Sequence, residues 1–186
     1  MKMQTHKLSP FSPLAGEALS LEAEIEARPE GLRLVYRLHG NLDALVWPVH
    51  SNGSRRDELW KRTCFEIFLK DGDQSIYDEW NFSPSTDWAH YDFSDYRQKL
   101  SSNARIMHLR RPLDWQKTAE MMTLTVEIPW PVHFLSTDFY YYSLTAVLEH
   151  RGGELSYWAM HHAGDRPDFH NARSFVGRLR TSHRGP

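Results

Sequence analysis

Apolar and polar residues alternate with a period of two along most of this 186-residue chain, and the spacing of an amphipathic helix is almost missing. Successive side chains of a strand point to opposite faces, so the pattern predicts half-buried β-strands. From Leu19 the apolar series Leu19, Leu21, Ala23, Ile25 runs against Ser20, Glu22, Glu24, Glu26. Arg28-Pro29-Glu30-Gly31 then turns the chain, and Leu32, Leu34, Tyr36, Leu38 resume the alternation opposite Arg33, Arg37 and His39. Two such runs about a turn predict a hairpin. The pattern returns over Thr63 to Leu69, Ile76 to Phe82, Asp87 to Phe93, Ala104 to Leu109, Met122 to Ile128, Phe139 to Glu149, Leu155 to His162 and Ser174 to Leu179. Asp71-Gly72-Asp73 and Arg151-Gly152-Gly153-Glu154 supply polar turns. Pro129 and Pro131 end a strand, because proline cannot donate to a ladder. About nine or ten short strands without a long helix predict an all-β fold, an antiparallel β-sandwich, with a closed barrel as the alternative.

The length suits one core, and no Gly/Ser linker or charge block divides the chain. A single domain over residues 1–186 is expected, with irregular tails at 1–15 and 181–186. Lys and Arg number 22 against 24 Asp and Glu, a formal charge of −2, so no nucleic-acid partner is called for. No apolar stretch is long enough for a membrane span, and no apolar segment follows the first lysine as a secretory leader would require. Cys64 is the only cysteine, which excludes an intrachain disulfide. Cytoplasm is the expected compartment, and nothing in the pattern selects an oligomeric state.

Ten of the chain's 24 Phe, Tyr and Trp residues fall between Trp60 and Tyr96, interleaved with Glu66, Glu79, Asn81, Asp87 and Arg97. Aromatic faces beside amide, carboxylate and guanidinium groups grip flat polar ligands, since one surface supplies stacking and fixed hydrogen bonds. Parity divides the band. Phe65, Ile67, Leu69, Trp80 and Phe82 share the core face, while Glu66, Glu79 and Asn81 share the opposite, mixed one. Trp60 and Trp88 adjoin loop-like sequence where a ring could face a ligand. Arg97 could clamp hydroxyls, or pair with Glu66 or Glu79. Ser83-Pro84-Ser85 reads as an ordered turn.

Asp57 to Leu69, Tyr77 to Ser85 and Trp88 to Phe93, with a second block at Ser156-Tyr157-Trp158-Ala159-Met160-His161-His162 and Pro167-Asp168-Phe169-His170, resemble the DOMON-like proteins related to family 9 carbohydrate-binding modules. The resemblance implies a β-sandwich of immunoglobulin-like or jelly-roll-like form. It implies a non-catalytic ligand site on one face or rim, used in relatives for sugars or for haem. Sugar-binding relatives clamp a terminal saccharide between aromatic rings, and Trp60 and Trp88 are their counterparts by position. From the mixed face and this resemblance together, the expected ligand site comprises Trp60, Glu66, Glu79, Asn81, Trp88, Tyr91 and Arg97, with the segment from Trp158 to His170 as a rim. The expected ligand is a saccharide or similar polar ring. The secreted relatives carry a leader, which is not expected here.

Two other classes stay open. A haem- or metal-binding electron-transfer domain would use Met107 or Met160 with a nearby histidine, or His161 or His162 with Asp168 and His170. Consecutive His161 and His162 point to opposite faces of a strand, so local hydrogen bonding of Asp168 and His170 is the plainer expectation, and no cofactor or metal is called for. A purely structural domain would bury the whole aromatic band and leave no open pocket beside Trp60, Glu66 or Trp88. Glu66 and Glu79 could in principle act on a glycoside, but the sequence sets neither their separation nor a raised pKa.

Overall fold

The computed structural model describes residues 3–12, 18–100, 107–131 and 139–180. These contain twelve strands and three short 3-10 turns, at Leu42–Ala44, Leu59–Lys61 and Ala172–Ser174. In chain order the strands are β1 (Gln4–Pro10), β2 (Ser20–Arg28), β3 (Gly31–His39), β4 (Cys64–Asp71), β5 (Tyr77–Phe82) and β6 (Trp88–Asp95). There follow β7 (Gln98–Lys99), β8 (Asp114–Lys117), β9 (Met121–Pro129), β10 (Phe139–Glu149), β11 (Leu155–Ala159) and β12 (Gly177–Arg180). Every strand pair is antiparallel.

Two sheets face each other. One has the order β1-β2-β3-β9-β8; the other runs β7-β6-β5-β4-β10-β11, with β12 beside the first part of β10 where β11 does not reach. β1 belongs to both: Gln4 to Leu8 pair with β2, and Ser9 and Pro10 pair with β11. The expected tail over 1–15 is therefore a strand through most of its described part. Its apolar content is low, and only Leu8 is buried, so alternation does not reveal it. β7 and β8 were likewise missed, being two and four residues long. Of the strand expected over Ala104 to Leu109, 104–106 lie outside the described residues and Met107 to Leu109 have no regular structure.

The hairpin β2–β3 forms as its sequence dictates, with Pro29 and Glu30 as the two loop residues. Gly31 is required there: a Cβ on it would lie 2.0 Å from the Ile128 carbonyl oxygen, since β9 crosses directly against it. Leu21, Ala23 and Ile25 of β2, Leu34, Tyr36 and Leu38 of β3, and Leu124 and Val126 of β9 point inward. They meet Phe65, Ile67, Leu69, Trp80 and Phe82, all fully buried, as parity predicts. The outer side of this first sheet is wet and charged, where Arg37 reaches Glu24 at 2.6 Å and Arg28 reaches Glu127 at 2.9 Å. Exposed pairs of this kind each contribute about 0–1 kcal/mol, so the core carries the fold.

The second sheet is different: every residue of β5 is buried, and nearly all of β4 and β6. Its inner face meets the first sheet. Its outer face is covered by the chain after β11, which lays Phe169 and Phe175 against Phe68, Tyr77, Phe93 and Val147. A second apolar cluster thus lies outside the sandwich, and it frames the site. Among the described residues no helix is long and apolar enough to cross a membrane.

Candidate functional site

The outer face of β4, β5 and β6 carries an open hollow of about 510 Å³, within the range of small-ligand sites. Glu66 and Phe68 of β4, Glu79 of β5 and Tyr91 and Phe93 of β6 form its floor. Val147 of β10 and Tyr157 of β11 continue that floor, and Trp60 stands on one rim. Arg97 and Lys99 border another side, and Arg166, Pro167, Phe169 and His170 form the covering wall. Alternation places these groups: Glu66 sits opposite Asn81 and Thr145 in the ladder, and Glu79 sits opposite Phe68 and Tyr91. Glu58, with φ of 63°, turns the chain into the Leu59–Lys61 turn that holds Trp60 45% exposed.

Polar groups of the floor are held firmly. Thr145 donates its hydroxyl to Glu66 Oε2 at 3.1 Å, and Asn81 donates its amide to Glu79 Oε1 at 2.5 Å. Cys64 Sγ lies 3.5 Å from the other end of the same amide, Asn81 Oδ1. Glu66 and Glu79 are only 2% and 5% exposed. Burial pushes the Glu66 carboxyl well above its ordinary pKa of 4.5, and the Glu79 charge adds to this against the Thr145 bond. Burial also raises Glu79, opposed by the Asn81 bond and by the Lys99 and Arg97 charges. Protonated acids in such a floor can donate as well as accept hydrogen bonds.

His170 closes the wall. The Arg97 backbone N–H donates to Tyr77 Oη at 3.1 Å, leaving the Tyr77 hydroxyl hydrogen for His170 Nδ1, 2.8 Å away. Burial and the Arg97 charge lower the His170 pKa to about 4, so the imidazole is neutral at pH 7 and carries its hydrogen on Nε2. Nε2 is 3.6 Å from Glu79 Oε2. Burial pushes Tyr77 up to about 12, which keeps its hydroxyl protonated.

Of the residues expected from sequence, Trp60, Glu66, Glu79, Tyr91, Arg97 and His170 come together around one hollow. Three do not line it. Asn81 is fully buried beneath it and acts by holding Glu79. Trp88 is a correction: it is 6% exposed and lies in the core between the sheets, its ring 5.9 Å from that of Trp80. The register explains this, because Trp88 pairs with inward-facing Phe82. The loop before it is tied down by Asp87, whose carboxylate takes the hydroxyls of Ser51 and Ser85. Trp158 is likewise a core residue, 3% exposed, with its indole N–H donated to Ser156 Oγ at 2.9 Å. Arg97 pairs with neither glutamate; it meets Asp168 at 3.0 Å and Tyr96 Oη at 3.2 Å.

Lys99, Phe93 and Tyr157 were not anticipated, whereas Arg166 lies in the Trp158 to His170 segment expected as a rim but was not singled out there. Lys99 sits in a two-residue strand and Arg166 in an irregular loop, so no periodicity marks either one.

The histidine-rich segment anchors the wall rather than gathering donors. Asp168 accepts from Arg97, Tyr96 and the His170 backbone N–H, and His162 Nε2 is taken by the Ser9 carbonyl at 2.9 Å. Met160 Sδ lies 3.3 Å from the Leu144 backbone N–H and Met107 is buried in the core, so neither sulfur borders the hollow. Another cluster, Asp78, His90 and Asp92, lies on the inward side of β5 and β6. Burial disfavours the His90 imidazolium, and the Asp78 and Asp92 carboxylates outweigh it, holding His90 at about 9. His90 Nε2 is 3.1 Å from Asp92 and 3.6 Å from Asp78, the distances of a buried ion pair.

No family model matches the chain, and no curated protein matches its sequence. Solved structures do match its shape. A candidate carbohydrate-binding protein from Bacteroides uniformis superposes with a TM-score of 0.58 at 15% identity, covering 94% of this chain and 86% of the other. A family 9 carbohydrate-binding module from Caldicellulosiruptor kristjanssonii, solved with cellotriose, gives 0.54 at 9% identity, covering 96% and 82%. The fold is shared. At such identities the likeness concerns architecture alone, and the chemistry has to be read from the hollow itself.

The carboxyl floor has a consequence for stability. Glu66 binds its proton more tightly folded than unfolded, so its contribution is present below pH 4.5 and is lost as pH rises through the raised folded value. Glu66→Gln cannot ionise. The melting temperature of the variant relative to the parent chain is therefore expected to climb steadily from pH 4 to pH 8, and a pH-independent difference would contradict the buried-acid assignment.

Proposed function

We propose that the chain is a non-catalytic saccharide-binding domain whose ligand occupies the hollow over β4, β5 and β6. One observation carries this: an exposed indole, Trp60, and the Tyr91 ring border a floor in which two buried carboxyls are fixed in place by Thr145 and Asn81. A sugar ring offers C–H faces for stacking and hydroxyls for bonding, and this surface meets both. Trp60 supplies apolar contact on the rim, Glu66 and Glu79 bond hydroxyls from below, and His170 Nε2–H bonds from the wall. The shared architecture with a module solved with cellotriose supports the reading, as does the resemblance of Tyr77 to Ser85 and Ser156 to His170 to DOMON-like proteins.

Hydrolysis fits less well. A glycosidase needs carboxyls flanking the scissile bond, about 5–9.5 Å apart. Glu66 and Glu79 lie on adjacent strands of one floor, with Glu79 two residues along β5 from Asn81, the partner of Glu66, so both face the ligand from the same side.

Calorimetric titration of the full chain with mono- and oligosaccharides tests the proposal. A dissociation constant of about 1 mM or tighter, about 4 kcal/mol of binding free energy, is expected for at least one of them. Absence of any binding at millimolar saccharide would overturn it.

A further inference from the structure

The hollow has acids at its base and cations at its mouth. Glu66 and Glu79 are buried, while Arg97, Lys99 and Arg166 border the opening, where Lys99 and Arg166 are exposed. Arg97 is committed to Asp168 and Tyr96. The other two cations are not. Lys99 Nζ lies 3.8 Å from the centroid of the Tyr91 ring, held there by cation–π attraction, and among the described residues neither Lys99 nor Arg166 makes an ion pair. Two cations without a carboxylate partner among the described residues, on the mouth of a hollow, raise the local concentration of anions and leave donors for a ligand charge.

We propose that the hollow prefers saccharides carrying a carboxylate, with the sugar hydroxyls against Glu66 and Glu79 and the carboxylate at the mouth between Lys99 and Arg166. This rests on the saccharide reading above and specifies its ligand class. Charge separation within the site makes the preference work. The floor carboxyls are kept toward their protonated forms by burial, which limits their repulsion of an acidic ligand, and their hydroxyls become donors. A neutral sugar uses the floor and the Trp60 face but leaves both mouth cations unpaired. The plainer role for Lys99, balancing the Glu79 charge through space, predicts no discrimination between acid and neutral sugars.

The test compares uronic-acid disaccharides with their methyl esters, which keep ring and shape but lose the charge, by calorimetry on the full chain. The acid is expected to bind at least about tenfold tighter at low salt. That advantage is expected to narrow in about 0.5 M NaCl, because charges at an exposed mouth are screened. In the double variant Lys99→Met/Arg166→Gln the acid is expected to fall to within about twofold of the ester. Esters binding as well as acids to the parent chain, or an acid advantage that survives both high salt and the double variant, would overturn this inference and leave saccharide binding standing. Failure of both acid and ester, and of every other saccharide, would overturn the two together.

Discussion

Trp80→Ala is expected to cost about 3–5 kcal/mol of folding free energy, the largest single loss among the core residues of β4, β5 and β6. Trp80 is fully buried where the two sheets meet, with ring centroids 6.3 Å from Phe82, 5.9 Å from Trp88 and 4.4 Å from His90. Truncation removes the indole and leaves a void that stiff strands on either side cannot close, since β5 is hydrogen-bonded to both β4 and β6. For a domain of this size each kcal/mol moves the midpoint by about 2–4 °C, so the melting temperature is expected to fall by about 6–20 °C. A shift of only one or two degrees would mean that Trp80 does not sit between the sheets.

Trp60→Ala is expected to do the reverse. The ring is about half exposed on a 3-10 turn and approached by Lys61 Nζ at 5.6 Å from its centroid, so its loss should leave stability within about 0.5 kcal/mol. Saccharide affinity should drop by about tenfold to a hundredfold, about 1.4–2.7 kcal/mol, because an aromatic anchor beside fixed polar groups carries a large share of binding. Trp88→Ala provides the contrast: it should destabilise the fold as a core truncation does, and any effect on binding should follow from that loss. Calorimetric titration and thermal unfolding of the two variants in parallel check this. Unchanged affinity in Trp60→Ala, with the fold intact, would place the ligand elsewhere than beside Trp60.

Both outcomes bear on how far residue patterns go in such a chain. β2, β3 and β9 were legible because one side of their sheet is wet, so Glu22, Glu24 and Arg37 contrast with Leu21, Ala23 and Leu38. The mixed face of Glu66, Glu79 and Asn81 was legible for the same reason of parity. Trp60 and Trp88 looked alike, each an indole beside loop residues. What separates them is the pairing of Trp88 with Phe82, a long-range register that spacing does not disclose. The wall was legible as a rim segment, Trp158 to His170, but not in what its rings cover. Phe169 and Phe175 bury the outer face of the second sheet from an irregular segment, so their apolar character has no period to betray it. Lys99 and Arg166 reach the mouth of the hollow by the same non-local route.

The most direct test of the central claim is a heteronuclear NMR titration of the full chain with the tightest-binding saccharide found by calorimetry. The expected result is shift changes concentrated at the Trp60 indole, Glu66, Glu79, Tyr91 and His170, with the core indoles of Trp80 and Trp158 little changed. Shifts confined to the wet face of the first sheet, around Glu24 and Arg37, or no shifts at millimolar saccharide, would contradict it.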